Sequence, residues 1–244
     1  MPFPEILASF PLIDMFKAII FDFNGVLVND LRFHEEAYLL AAKETGFPLA
    51  LETIQRHIST TPGQKRNLYF GDISDETWNE IFKLKTKYYF DLIEGENPLF
   101  PEVEDVLHFL GRQCLLGLVS NTPREYFEKV FPKHLASLFQ ESIFGDEMRH
   151  PKPSPEPLLE MMRRLDVVSG QCCYVGDSVS DVQMAKNVGI KIFSVATGDN
   201  TKEELTKAGA DWVLDRLGEL KNKLIPHGST ETVNPKRLEH YRKS

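Results

Sequence analysis

Short apolar runs recur at Ala18–Phe21, Leu115–Val119, Cys172–Val175, Ile190–Val195 and Asp211–Leu214. Each is nearly continuous rather than alternating, which predicts strands buried on both faces, as in a parallel sheet. Helical patterns lie between the runs. Ser154, Pro155 and Pro157 precede Leu158, Leu159, Met161, Met162 and Leu165, giving a cap, first-turn prolines and an apolar stripe. Val182–Val188 stops at Gly189, a helix C-terminus. Strands and helices alternating at this length predict an α/β fold built on a doubly wound, Rossmann-like parallel sheet.

The stretch from Leu31 to Pro101 breaks that rhythm. His34–Thr45, Leu51–Ser59 and Thr77–Ile93 all carry helical patterns, with Ser74 as a cap and Trp78, Ile81, Phe82, Tyr89 and Leu92 on one face. No strand pattern interrupts them. The expected division is therefore a Rossmann-like core from 1–30 and 102–226, an inserted α-helical cap domain from 31–101, and a polar C-terminal tail from 227–244. The length of 244 residues, above the common range of about 100–200 for one domain, suits such an insertion.

Hydrophobic residues at 42% and charged residues at 26% are ordinary for a chain with a packed core. A net charge of -8 argues against a nucleic-acid partner, and any anionic substrate must then meet positive charge concentrated locally. Cys114, Cys172 and Cys173 lack the spacing of a disulfide framework or a zinc site, which points to a reducing, cytoplasmic setting. Met1 to Asp14 has no basic segment typical of a signal peptide, and no apolar run nears the roughly 20 residues a membrane helix needs. The expectation is a protein with no membrane partner. Monomer and homodimer are equally compatible with the sequence.

Polar clusters fall where the expected strands end, which is where open α/β sheets bind ligands. Asp22, with Asn24 and Gly25, follows the first run and can serve as metal ligand, nucleophile or plain turn residue. Ser120, Asn121, Thr122 and Pro123 follow the second, either as an anion site at a helix start or as an ordinary cap. Lys152 stands between two prolines, either holding an ammonium against a phosphate or lying on the surface. Gly176, Asp177 and Asp181 follow Cys172–Val175, with the two carboxylates about one helical turn apart and able to face one pocket. Converging carboxylates of this kind favour Mg²⁺.

In this order, the segments Asp22-Phe23-Asn24-Gly25, Val119-Ser120-Asn121, Lys152-Pro153-Ser154-Pro155 and Gly176-Asp177-Ser178-Val179-Ser180-Asp181 resemble the four motifs of the haloacid-dehalogenase-like hydrolases. They are most similar to the phosphoglycolate-phosphatase and β-phosphoglucomutase-like subgroup with a helical cap. The resemblance covers about Phe16 to Leu220. It implies a Mg²⁺-dependent phosphatase for a small phosphorylated metabolite, with Asp22 forming an aspartyl-phosphate. It further implies a metal held by Asp22, the backbone carbonyl of Asn24 and Asp177, with Asp181 orienting the metal's water or Lys152. Phosphoryl oxygens would be bound by Ser120, Asn121, Gly25 and Lys152.

The chain departs from the pattern at Asn24, where family phosphatases carry a second aspartate as general acid and base. A carboxamide cannot perform that exchange, which is typically worth about 10²–10⁴-fold. Three readings follow: a slowed phosphatase, a phosphonate or other non-phosphomonoester hydrolase, and a weak pseudo-phosphatase that binds a phospho-ligand. In the cap, Thr60-Thr61-Pro62-Gly63-Gln64-Lys65-Arg66 reads either as a glycine turn bringing Lys65 and Arg66 to the substrate or as a solvated helix start.

Overall fold

A computed structural model describes residues 16–224, apart from Ser59, Thr61 and Asp199. The expected tail at 227–244 and the segment before Phe16 lie outside the described residues. The strands are β1 (Ala18–Phe21), β2 (Leu115–Ser120), β3 (Glu141–Phe144), β4 (Cys172–Gly176), β5 (Lys191–Val195) and β6 (Trp212–Leu214). They form one parallel sheet in the order β3-β2-β1-β4-β5-β6. Chain direction across the sheet reverses between β1 and β4, the switch point where such sheets open a crevice.

The continuous apolar runs are explained by a core on each face. Ile19 and Phe21 of β1 join Val106, Leu107, Leu118, Cys173 and Val175 on one side. Ala18 and Ile20 join Leu158, Met161, Tyr174 and Val182 on the other. Both faces are dry, so no strand needs a polar alternation, and truncating Ile20 to Ala is expected to cost about 2–5 kcal/mol. The helix Glu156–Arg164 lies close enough to β2 that a Cβ at Gly117 would stand 2.8 Å from Met161 Sδ. Cys172 and Cys173 are buried in β4, as a strand reading of that segment requires.

β3 carries no sequence signal. Glu141 and Ser142 are half-buried at the sheet edge, and only Ile143 and Phe144 supply apolar character. Between β1 and β2 come α1 (Leu31–Glu44), α2 (Leu51–His57), α3 (Pro62–Phe70), α4 (Asp75–Ile93) and, packed on the sheet, α5 (Val103–Leu110). Ser74 caps α4, its Oγ accepting the Thr77 N–H at 3.2 Å. Of the two readings for 60–66, the helix start is the one observed: Pro62 and Gly63 open α3. The two chain segments that join these helices to the sheet run side by side. Asn29 N–H donates to Pro98 O at 2.7 Å, Phe100 N–H donates to Leu27 O at 3.2 Å, and Val28 bridges Leu99.

Candidate active site

β1 and β4 deliver their C-terminal ends to the switch point, and each ends on an aspartate. Asp22 is buried, with Oδ1 accepting the Phe23 N–H at 2.7 Å. Its Oδ2 lies 2.7 Å from Lys152 Nζ, which also meets Asp181 Oδ1 at 2.8 Å. Asp181 is fully buried, and its Oδ2 accepts Ser178 N–H at 3.1 Å and Ser178 Oγ–H at 2.6 Å, closing the cap of the helix Val179–Val188. One aspartate thus stops a helix end and fixes the lysine. Ligand oxygens of Asp22, Asp177 and Asp181 lie within 4.8 Å of one another.

Glycines make room for this. Gly25 adopts φ 74°, a region that disfavours side chains, and a Cβ there or at Gly198 would overlap the Asp177 carboxylate. A Cβ at Gly176 would meet the Asp181 side chain. Both carboxylates therefore sit directly against bare backbone.

Burial pushes the Asp22 carboxyl up to about 6, with nearby Lys152 opposing it and Asp181 adding to it. Burial disfavours the Lys152 ammonium too, but Asp181 and Asp22 overcome that and raise it above the usual lysine range. Lys152 is thus a fixed cation. Tyr174, unremarked in the sequence, donates its hydroxyl to Val119 O at 2.9 Å and receives a contact from Lys152 Nζ at 3.4 Å.

A Mg²⁺ fits this donor set. The ion takes oxygen ligands at about 2.0–2.1 Å and keeps several waters. Asp22 and Asp177 follow the neighbouring strands β1 and β4, and Asp22, Asp177 and Asp181 can each offer an oxygen to such an ion.

The remaining expected residues fall into place unevenly. Ser120 is buried and lines the cavity, its Oγ accepting the Thr122 N–H at 3.2 Å. The Asn121 side chain is committed to the Lys152 backbone, accepting its N–H at 2.9 Å and donating to its carbonyl at 3.3 Å. It positions the lysine loop, so only the Asn121 backbone is left for an anion. Lys65 lines the cavity, whereas Arg66 does not: its guanidinium pairs with Asp75 Oδ1 at 2.5 Å and with the Ile73 carbonyl. The expectation that Arg66 meets substrate is corrected accordingly, since α3 turns successive side chains about 100° apart.

The helical wall of the cavity holds residues that the sequence reading passed over. Lys85 on α4 is buried, with Nζ 2.8 Å from His34 Nδ1 and 3.3 Å from Tyr126 Oη, and it faces the rings of Tyr38, Tyr89 and Tyr126. It forms no salt bridge with a carboxylate among the described residues, and burial, with Lys65 nearby, pushes it well below the usual lysine range. Burial and Lys85 also push His34 down to about 4. A signal was available: position 85 is one turn from Ile81 and from Tyr89 on the apolar face of α4.

A doubly wound parallel sheet, with a buried carboxylate at one strand tip, a second at the neighbouring tip and a lysine held between carboxylates, is the architecture of a hydrolase family. The chain belongs to the haloacid dehalogenase-like hydrolase family, whose model matches residues 19–195. It is 34% identical over 163 residues to a phosphoglycolate phosphatase of Salmonella choleraesuis, covering 66% of this chain and 65% of that one. It therefore spans about two thirds of the length of that relative. It is 31% identical over 203 residues to a phosphorylated carbohydrates phosphatase of Thermotoga maritima, covering 80% of this chain and 92% of the relative. Among solved structures, CbbY from Rhodobacter sphaeroides in complex with phosphate shares the fold at a TM-score of 0.73 and 24% identity, over 84% of this chain and 96% of that one. A β-phosphoglucomutase of Clostridium difficile does so at 0.73 and 21%, over 86% and 96%. Among the described residues, no helix is long and apolar enough to cross a membrane.

Proposed function

We propose that the protein is a Mg²⁺-dependent cytoplasmic phosphatase acting on a small phosphorylated metabolite through an aspartyl-phosphate at Asp22. The observation that carries this reading is the convergence of Asp22, Asp177 and Asp181 within 4.8 Å, with Lys152 Nζ 2.7 Å from Asp22. An Asp22 oxygen attacks phosphorus as the ester P–O bond breaks, and the departing alkoxide takes a proton from solvent water to leave as the alcohol. Water then attacks the phosphoryl group, returning the carboxylate and releasing phosphate. Ser120, the Asn121 and Gly25 backbone and Lys152 receive the phosphoryl oxygens, and Asp181 keeps Lys152 in place. Mg²⁺ held by Asp22, the Asn24 carbonyl and Asp177 would offset the charge on those oxygens.

The helical segment 31–101 acts as a cap that shuts the cavity against water. Lys65 and Lys85 on its inner wall favour a metabolite with a second anionic group. Asn24 makes the enzyme slow on alkyl phosphates and less impaired on esters with good leaving groups. One observation favours the phosphonate hydrolase reading: Lys85, buried beside His34 and Tyr126 on the cavity wall, has the depressed amine that an imine former requires.

The test is turnover of an aryl phosphate with and without Mg²⁺, beside an Asp22→Ala variant. Turnover is expected to need the metal and to fall at least about 10³-fold in the variant. Undiminished activity in Asp22→Ala would reject the assignment.

A further inference from the structure

The helical wall of the cavity differs in chemistry from its floor. Leu31 and Tyr38 of α1, Ile58 after α2 and Phe82 of α4 line it, together with Tyr126 of the helix Arg124–Val130. Between residues 31 and 93, no described lining residue is an Asp, Glu, Asn or Gln. A polyhydroxylated leaving group would bury its hydroxyl protons against a wall without carboxylate or carboxamide acceptors, and polar groups left unmet there are costly.

The polar atoms on that wall are mostly committed. Thr60 Oγ–H donates to the His57 carbonyl at 2.7 Å. His34 spans Asp30 and Lys85, with Nε2 3.2 Å from Asp30 Oδ2 and Nδ1 2.8 Å from Lys85 Nζ. Thr86 Oγ–H donates to the Phe82 carbonyl at 2.8 Å, so the Tyr126 hydroxyl, 2.9 Å from Thr86 Oγ1, donates to Thr86 and accepts from Lys85 at 3.3 Å. An ammonium has three N–H groups. His34 and Tyr126 take two of those of Lys85, and the third has no protein partner among the described residues. An opposite charge is what this buried amine lacks.

The floor makes a second, independent demand. Asn24 Nδ2 donates to Asp30 Oδ2 at 2.7 Å, and Asn24 Oδ1 accepts from Thr122 Oγ–H. A carboxamide passes no proton to a departing oxygen, so esters whose leaving group is stable as an anion lose least. Phenolates meet that condition and alkoxides do not. Resting on the phosphatase reading above, we propose that the cavity is built for the phosphate ester of an aromatic acid, its ring against Tyr38, Phe82 and Tyr126 and its carboxylate on Lys85. As an Asp22 oxygen bonds to phosphorus, the electron pair of the P–O bond leaves with the phenolate, which takes its proton from solvent water. Lys85 is then a specificity-determining residue.

The test is kcat/KM with saturating Mg²⁺ at one fixed pH on phenyl phosphate, 3- and 4-carboxyphenyl phosphate, benzyl phosphate and glycerol 1-phosphate. Phenyl and carboxyphenyl esters have leaving groups of similar acidity, so their ratio reads recognition of the carboxylate. Benzyl and glycerol esters both leave as primary alkoxides, so their ratio reads the wall. The better carboxyphenyl ester is expected to exceed phenyl phosphate about 10–100-fold. Benzyl phosphate should exceed glycerol 1-phosphate at least about tenfold, and phenyl should exceed benzyl phosphate at least about 10²-fold. In Lys85→Met the carboxylate preference should fall to about one; Lys85→Gln makes the same comparison if that variant is not recovered folded.

A carboxyphenyl ester no better than phenyl phosphate, a carboxylate preference that persists without the Lys85 amine, glycerol 1-phosphate turned over as well as benzyl phosphate, or phenyl phosphate no better than benzyl phosphate would each overturn the proposal while Asp22-dependent turnover stands. Turnover that survives Asp22→Ala instead rejects the phosphatase reading, and this substrate class with it.

Discussion

Lys152 on the sheet side of the cavity and Lys85 on the helical side are almost equally hidden, at 4% and 3% exposure. Burial opposes the charged form of both, yet one is raised above the usual lysine range and the other falls well below it. The difference lies in the neighbours. Lys152 touches two carboxylates, at 2.7 and 2.8 Å, while Lys85 touches an imidazole and a phenol and is near a second lysine. A buried lysine therefore has no fixed meaning. On the sheet side, two carboxylates favour the charged lysine. On the helical side, burial without such a partner disfavours it.

The sharpest way to break this comparison is Lys152→Met, which strands Asp22 and Asp181 as buried carboxylates without a cation. Urea unfolding should show a loss of about 3–5 kcal/mol, and aryl phosphate turnover should fall about 10²–10³-fold. A variant as stable as the parent would mean that the pair at the sheet edge contributes nothing.

A smaller effect is expected at His34, the imidazole that faces Lys85 and Asp30. Its folded-state value is lowered to about 4 from 6.5. The stability this contributes is present above pH 6.5 and is lost as pH falls towards 4, because the unfolded chain takes up the proton first. The loss is about 2–3 kcal/mol across that window. Stability measured against pH in the natural chain and in His34→Gln should diverge over that interval, and parallel curves would exclude His34 as the source.

The smallest change in stability belongs to Lys85→Met. An apolar side chain of similar length replaces a buried amine with no carboxylate to strand, so unfolding should shift by less than about 1 kcal/mol or move towards greater stability. A loss as large as that of Lys152→Met would erase the contrast between the two walls.

Strand content at β1, β2, β4 and β5 was legible because both faces of a central parallel strand are apolar, which leaves a continuous run in one dimension. β3 was not, since half of its residues face the sheet edge and carry no such run. Asp22, Lys152, Asp177 and Asp181 could be singled out because strand ends recur at recognisable turns, so each announces itself locally. Lys85 was hidden inside an apolar helical face, and Arg66 was misplaced because neighbouring helical side chains diverge.

Chain order alone thus determined the alternation of strands and helices, the helical stretch between β1 and β2, and which polar clusters resemble the family's motifs, since each depends on spacing within a few residues. Tertiary structure alone decided in which direction each buried lysine is shifted, that Asn121 serves Lys152 through its side chain, and that Asn24 is hydrogen-bonded to Asp30 and Thr122. Those outcomes depend on burial and on partners drawn from distant segments, and a protonation state or hydrogen-bond direction exists only once such groups are brought together.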